Sequence, residues 1–416
     1  MEVKAYIYRE YDYEKDKGNF LFYYRVCLLL GMYFKSDVTA FRSQSVKNTP
    51  VPTPTTVPTM TPTPTPTPAP VTATILAAGD VIMHEPVVKS GKNNTVEYNY
   101  NYIFDRIKPF VEEADLSIID FEGACMETDT NYTGYPLFNA PPAIITAFAY
   151  AGFDMVNTAN NHCLDRGLNG LFETRDIIKR NNLQVIGTFE DASEPRYTIR
   201  DLNGIKVGFL SYTYGCNMNE NRLTEEERNI HLSLIDRDKI KNEIESLSSL
   251  VDVVVVLMHW GVEYRVEPTA EQTELADMIF SAGADIILGS HPHVIERSEI
   301  RETDGKIKYI IYSMGNFLSN QIDDNNPETK LSELTQENVM VKIKLEKDLM
   351  SGQTRIVSVK HIPAWVHRYS ENNVYKYSII PIPSLENEIF NQVDEKLAEK
   401  LKSSYIRTME KMQDFR

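Results

Sequence analysis

GADIILGSHPHVIE, residues 283–296, holds a buried strand and, at its end, two closely spaced imidazoles. The apolar run Ile286–Leu288 is short, flanked by Asp285, and stops abruptly at Gly289-Ser290 before His291-Pro292-His293. A run of that length reads as a strand covered on both faces. Working outward, the pattern recurs. Ile75–Ala78 ends at Gly79-Asp80, Leu116–Ile119 at Asp120-Phe121-Glu122, and Met155–Thr158 at Ala159-Asn160-Asn161-His162. Val253–Met258 ends at His259, and Tyr309–Ser313 at Gly315-Asn316. Between these runs, Tyr102–Glu113, Leu168–Arg180, Asp236–Leu247 and Glu271–Ala282 have helical length and apolar spacing near the helical period. Strands alternating with helices predict an α/β fold whose sheet is covered on both sides, with ligands gathered at the carboxyl ends of the strands.

The residues at those ends are of one chemical kind. The chain has only eight histidines, and His259, His291 and His293 directly follow apolar runs. With Asp80, Glu122 and Asn161 they make a nitrogen and oxygen ligand set for one or two divalent ions of the Mn, Fe, Zn or Mg class. The Pro292 ring between the paired histidines predicts extended backbone that aims them at neighbouring centres. Such ions make a nucleophile of water near neutral pH. His162, beside Asn161 but pointing elsewhere, suits a general acid, and Asp80 is assigned to catalysis as well as to the metal. Taken singly, Asp80 also reads as a helix cap, Asn161 as a turn residue and His259 as a core histidine. Those readings do not explain why separate strands close on the same residue types. Asp165 and Arg166 are expected either to meet substrate or to pair with each other. Glu263, on the loop after His259, and Asn316 are further candidates for substrate binding.

The composition limits the partners. In 416 residues, 42% hydrophobic and 25% charged, the net charge is −16. Nucleic-acid binding needs a basic surface and is excluded as a general property. A polyanionic substrate would need bound cations or clustered Arg and Lys. Cys27, Cys125, Cys163 and Cys216 have no metal-ribbon spacing and read as core thiols, with Cys163 notable for its place beside His162.

Ahead of the first strand, Phe20–Phe34 is apolar apart from Arg25, with Lys15 and Lys17 on its amino side. It is shorter than the ~20 residues of a spanning helix and reads as a signal-peptide core or signal-anchor; the competing reading is a buried helix. Pro50–Pro70 then holds nine prolines interleaved with threonine, which disfavours helix and sheet and predicts a polyproline stalk. The expected organisation is an N-terminal segment over 1–43, a stalk over 44–73, an enzyme-like domain over 74–368 and a C-terminal extension with a helix over 369–416. That layout predicts an extracytoplasmic protein, secreted or anchored in the membrane through its N-terminal segment.

These stretches also resemble a known family. AAGDVIM (77–83), ADLSIIDFEG (114–123), FNAPP (138–142) and TANNHCLDRGLNGL (158–171) are similar to motifs of the CapA family, or PGA_cap domain. HWGVEY (259–264), GADIILGSHPHVIE (283–296) and YSMGNF (312–317) complete the set in the family's order. The resemblance implies a layered fold related to the calcineurin-like metallophosphoesterases, a metal-dependent hydrolase-type site, and a role in poly-γ-glutamate capsule synthesis, export or attachment. It implies as partners poly-γ-glutamate or another anionic polymer and capsule synthase proteins. The alternatives are a metal-dependent phosphomonoesterase or phosphodiesterase, and a non-catalytic polymer-binding scaffold. Two departures stand out: Ile82 replaces the histidine usual in the first phosphoesterase motif, with His84 two residues on, and Asp120 stands where the family often has Asn.

Overall fold

The computed structural model describes residues 68–92, 97–303, 305–322 and 330–415. The expected signal or anchor segment and the stalk up to residue 67 lie outside the described residues. The strands are β1 (Val71–Val81), β2 (Leu116–Phe121), β3 (Met155–Asn157), β4 (Gln184–Ile186), β5 (Thr198–Leu202), β6 (Ile205–Thr213) and β7 (Val253–His259). They continue as β8 (Ile286–Ser290), β9 (Ser298–Thr303), β10 (Lys306–Ile311), β11 (Asn316–Leu318), β12 (Glu337–Lys347), β13 (Thr354–Glu371) and β14 (Val374–Pro381). One sheet has the order β14-β13-β12-β1-β2-β3-β4, with β11 beside β1, and the other β5-β6-β7-β8-β10-β9.

The two sheets pack against each other. Ile75, Ala77, Leu116 and Ile118 of the first share a cluster with Val207, Val255, Ile286 and Tyr309 of the second. Helices cover only the outer faces. Helix Ala143–Ala151 packs its Ile144, Ile145 and Phe148 on the first sheet, and helices Arg237–Ser248 and Ala270–Ala282 pack theirs on the second. The alternation of strands and helices predicts a sheet covered on both sides, and the family resemblance a layered fold with sheets covered by helices; the structure is that layered α/β fold, a stack of helices, sheet, sheet and helices. An apolar run shows that both faces are buried, not whether a helix or another sheet does the burying. Fully burying one such side chain contributes roughly 1.5–3 kcal/mol.

Helices Gly167–Arg180, Arg237–Ser248 and Ala270–Ala282 stand where the periodicity predicts them. Tyr102–Glu113 does not form one helix. It divides into Asn101–Phe104 and Lys108–Glu112, because Pro109 lacks an N–H for the preceding turn and fits only the first turn of a new helix. β1 begins at Val71, ahead of the expected Thr74. Beyond residue 368, β14 pairs with β13, and helix Glu395–Met409 places Leu397 and Leu401 against Trp365 of β13.

Candidate metal centre

Strand register places a polar row across each sheet. In the first, Asn316, Asp80, Asp120 and Asn157 are successive partners on β11, β1, β2 and β3. In the second, Thr213, His259 and Ser290 are partners at the last residues of β6, β7 and β8. The rows face each other between the sheets: Ser290 Oγ donates to Asp120 Oδ2 at 2.6 Å, and Ser211 Oγ to Asn157 Oδ1 at 2.6 Å.

A bulge turns Asp80 inward. Ala73, Ile75 and Ala77 face the second sheet while Leu76 and Ala78 face the helices, so strict alternation would turn Asp80 outward too. The register shift between Ala78 and Asp80 inserts Gly79 and reverses that parity. Gly79 has no substitute here, since a Cβ on it would lie 2.1 Å from the Gly315 carbonyl oxygen. Thus redirected, Asp80 Oδ2 accepts the backbone N–H of His291 at 3.1 Å and lies 3.5 Å from His293 Nδ1.

Two adjoining sets of ligand atoms result. Asp80, Asp120 and His259 form one, Glu122, His291 and His293 the other, and within each set the ligand atoms lie within 4.8 Å of one another. Glu122 is central to the pocket: its Oε1 is 3.9 Å from Nε2 of both His162 and His293 and 4.0 Å from His259 Nε2. All these side chains are buried. Even so, Asp80 Oδ1, Asp120 Oδ1, Glu122 Oε2 and His291 Nδ1 have no hydrogen-bond partner. Among the described residues, no Lys or Arg comes within 4.0 Å of these three carboxylates; the basic side chains at that distance are histidines.

Electrostatics makes the same demand. Burial and then the neighbouring Asp120 push Asp80 up to about 7, and burial with Asp80 and Asp120 pushes Glu122 well above the usual carboxylate range. Burial holds His291 well below its ordinary value and His293 down to about 4, so both imidazoles are neutral, the form that coordinates metal. Crowded carboxylates lacking a cation, beside neutral imidazoles with free nitrogen, are a donor set into which one or two divalent ions fit.

The sequence-predicted residues fall as follows. Asp80, Glu122, Asn161, His162, His259, His291 and His293 share this pocket. Asn161 Oδ1 is 2.8 Å from His259 Nε2. His162 lies outside both ligand sets; its Nδ1 is 2.8 Å from Asp165 Oδ2, its backbone N–H donates to Asn160 Oδ1 at 3.1 Å, and its ring meets Phe138 edge-on at 4.7 Å. Asp165 and Arg166 do not pair with each other. Asp165 backs His162 and accepts the Phe138 N–H at 2.7 Å, while Arg166 turns away to Thr133, the Leu137 carbonyl and Asp129. Asn316 is fully buried, its Oδ1 3.1 Å from His293 Nδ1, so it steadies that ring. Glu263 is exposed but close enough for its charge to raise Glu122. His84 stands outside both sets, its Nδ1 accepting the Asn320 N–H at 3.2 Å, and Ile82 is buried.

The His-Pro-His segment departs from the extended backbone expected of it. His291 has φ 96° and His293 φ 61°, left-handed conformations costly for any side chain with a Cβ. The curl is held by the Asp80 bond to His291 N–H and by the Tyr264 N–H on the Pro292 carbonyl at 2.7 Å. It brings both imidazoles to Glu122, with His293 Nδ1 also 3.5 Å from Asp80 Oδ2 of the adjoining set. Asp120, Ser290 and Asn157 were not predicted as site residues. Asp120 carried a usable signal: it stands two positions before Glu122, hence on the same face of the strand.

The match to the family described as bacterial capsule synthesis protein PGA_cap covers residues 74–321. Capsule biosynthesis protein CapA of Bacillus anthracis is 29% identical over 254 residues, which is 60% of this chain and 60% of that protein. PGA biosynthesis protein CapA of Bacillus subtilis (strain 168) is 28% identical over 254 residues, 58% of this chain and 62% of its own length. The chain therefore spans about three fifths of these relatives. A phosphatase of Mycoplasma pneumoniae overlays with TM-score 0.43 at 14% identity, over 71% of this chain and 94% of that one. With the family's region covering every residue of the pocket, the chain belongs to the bacterial capsule synthesis protein PGA_cap family.

Proposed function

We propose that the protein acts on a γ-linked glutamate polymer in capsule biosynthesis, as a divalent-metal-dependent hydrolase or transferase of the polymer's amide bonds. The observation that carries the proposal is the pair of adjoining ligand sets, Asp80/Asp120/His259 and Glu122/His291/His293, buried together with four unpartnered atoms. When bound there, divalent ions polarise a carbonyl and make a water a nucleophile at neutral pH. The chain's own groups would do the rest. Asp165 holds the Nδ1–H side of His162, leaving Nε2 directed into the pocket to protonate the departing amine. Asn316 fixes the His293 ring, and Ser290 fixes Asp120. Glu263 repels a polyanion, so capture of the polymer depends on the ions.

The stalk and apolar segment support a place outside the cytoplasm, with the domain held off the membrane. Among the described residues, no helix is long and apolar enough to cross a membrane. Protease added to intact cells should release a folded domain cut in the Thr/Pro tract; complete protection in intact cells defeats this placement.

The activity is tested with the full chain, manganese or zinc, and synthetic γ-glutamyl oligomers, following new α-amino groups by mass spectrometry. Cleavage or transfer should vanish in Asp80→Ala and in His293→Ala. A protein that binds divalent ions but turns over only aryl phosphates belongs to the phosphoesterase reading, which the same donors and the Asp165–His162 pair also suit. Binding of the oligomer without turnover belongs to the scaffold reading.

A further inference from the structure

Cys163 directly follows His162, and Cys216 directly precedes Asn217, whose Nδ2 lies 3.3 Å from His162 Nε2. The two cysteines sit on loops that leave different sheets, one after β3 and one after β6. Their sulfurs are 3.5 Å apart across 53 residues of chain. Both are buried in a small cluster with Leu164, Leu171 and Leu232, separate from the main cores. Asparagine contacts also join these loops: Asn161 Nδ2 reaches Asn217 Oδ1 at 3.4 Å and Asn217 Nδ2 lies 3.4 Å from His162 Nδ1, while Asn217 and Met218 both hold positive φ. The remaining described cysteine, Cys125, belongs to a different core cluster.

We infer that Cys163 and Cys216 are the two halves of a disulfide, made as the chain folds in an oxidising compartment, that staples the His162 loop to the Asn217 loop. Closure from 3.5 Å to the about 2.05 Å of an S–S bond is within reach of modest side-chain rotation. In the balanced step, two thiols and one small disulfide give the Cys163–Cys216 bond and two small thiols: both cysteine protons and one electron pair pass to the small disulfide. The contact with the Cys163 sulfur, and then burial, holds the Cys216 thiol well above its ordinary value, so that sulfur is not poised as a reactive nucleophile in the folded state. Oxidation therefore belongs to folding, before the cluster closes. Once made, the bond constrains a long loop of the unfolded chain and fixes Asn217 against His162. The inference rests on the placement outside the cytoplasm and not on the polymer reading; its test involves refolding and no substrate, so failure of one is distinguishable from failure of the other.

The test uses the full chain, unfolded with reductant and then refolded either under reducing conditions or with a mixture of oxidised and reduced glutathione. Free thiols are alkylated and the digests mapped by mass spectrometry. The oxidised sample should contain a Cys163–Cys216 cross-linked peptide, lighter by two hydrogens than the reduced pair, with Cys125 unlinked. Its thermal midpoint should lie several degrees above that of the reduced sample, and the gap should vanish in Cys163→Ser. Should Cys163→Ser fail to fold, the comparison of the two wild-type forms still decides. Alkylation of both cysteines after oxidative refolding, pairing of either with Cys27 or Cys125, or an oxidised form no more stable than the reduced one overturns the inference.

Discussion

Ser290, the last residue of β8, donates its hydroxyl to Asp120 of β2 at 2.6 Å, tying the second sheet to the first beneath the candidate metal centre. The same hydroxyl is 3.2 Å from His259 Nδ1, so one small side chain orients two ligands from different layers. Partners of this kind hold first ligands in the geometry an ion requires.

Asp120 crowds the site with charge, and its removal separates two effects. Asp120→Asn keeps an acceptor for Ser290 but deletes a carboxylate that raises both Asp80 and Glu122. Affinity for manganese, measured calorimetrically, should fall by at least the about 10- to 100-fold that loss of a ligand's supporting partner costs. The metal-free protein should melt at a higher temperature than the wild type. A variant with unchanged cation affinity removes Asp120 from the ligand set.

His162 stands outside both ligand sets, so His162→Ala should retain cation affinity while turnover of γ-glutamyl oligomers drops by about 10²–10⁴-fold. Asp165→Asn should lower turnover in the same direction by a smaller factor, because it disturbs only the ring's tautomer and orientation. Lost cation binding in His162→Ala makes the residue a ligand and not a proton donor.

Gly79 is where the Asp80 bulge and the Gly315 carbonyl meet. Gly79→Ala places a methyl 2.1 Å from that oxygen, and backbone on both strands must move. The expected outcome is destabilisation of about 1–3 kcal/mol, read from denaturant unfolding, together with loss of cation binding as Asp80 shifts. Wild-type cation affinity in this variant contradicts the role given to the bulge.

Glu296 supplies a pH dependence away from the ligands. It is fully buried, accepts from Gln272 Nε2 at 2.7 Å through Oε2, and leaves Oε1 unpartnered. Burial pushes it from 4.5 up to about 7. Its folded-state value lies above the unfolded one, so its contribution is fully present below pH 4.5 and lost as the pH rises through about 7. Glu296→Gln, which keeps an acceptor for Gln272, should match the wild type near pH 4.5 and exceed it above pH 7 by roughly 3 kcal/mol, the net penalty after Lys411 and Arg297 have offset part of the burial cost. Parallel stability profiles from pH 4 to 9 for the two proteins count against a buried charge at this position.

Much of this was legible in the chain. Apolar runs ending in Asp80, Glu122, His259 and His291 mark strands whose ends carry ligands, since a buried strand needs side chains that accept burial and a site needs polar ones where the strand stops. The helices on the outer faces followed from their apolar stripe, except where Pro109 divides one. β12 and β13, an antiparallel pair on one flank of the first sheet, were passed over, because much of their length alternates apolar with charged or polar residues, as over Lys342–Lys347. The roles of Asp165 and Asn316 were also hidden: hydrogen bonds to His162 and His293 are relations across loops, and neighbours in sequence do not reveal them.

By itself the sequence determined which side chains are available and which strands carry them, because hydrophobic period and punctuation are local properties of the chain. Tertiary structure alone decided where those side chains point. The Gly79 bulge turns Asp80 toward the second sheet, the left-handed His291 and His293 bring both rings to Glu122, and Ser290 meets Asp120 only because two sheets pack face to face. Direction depends on strand parity and backbone dihedrals, and these are set by contacts between residues far apart in the chain.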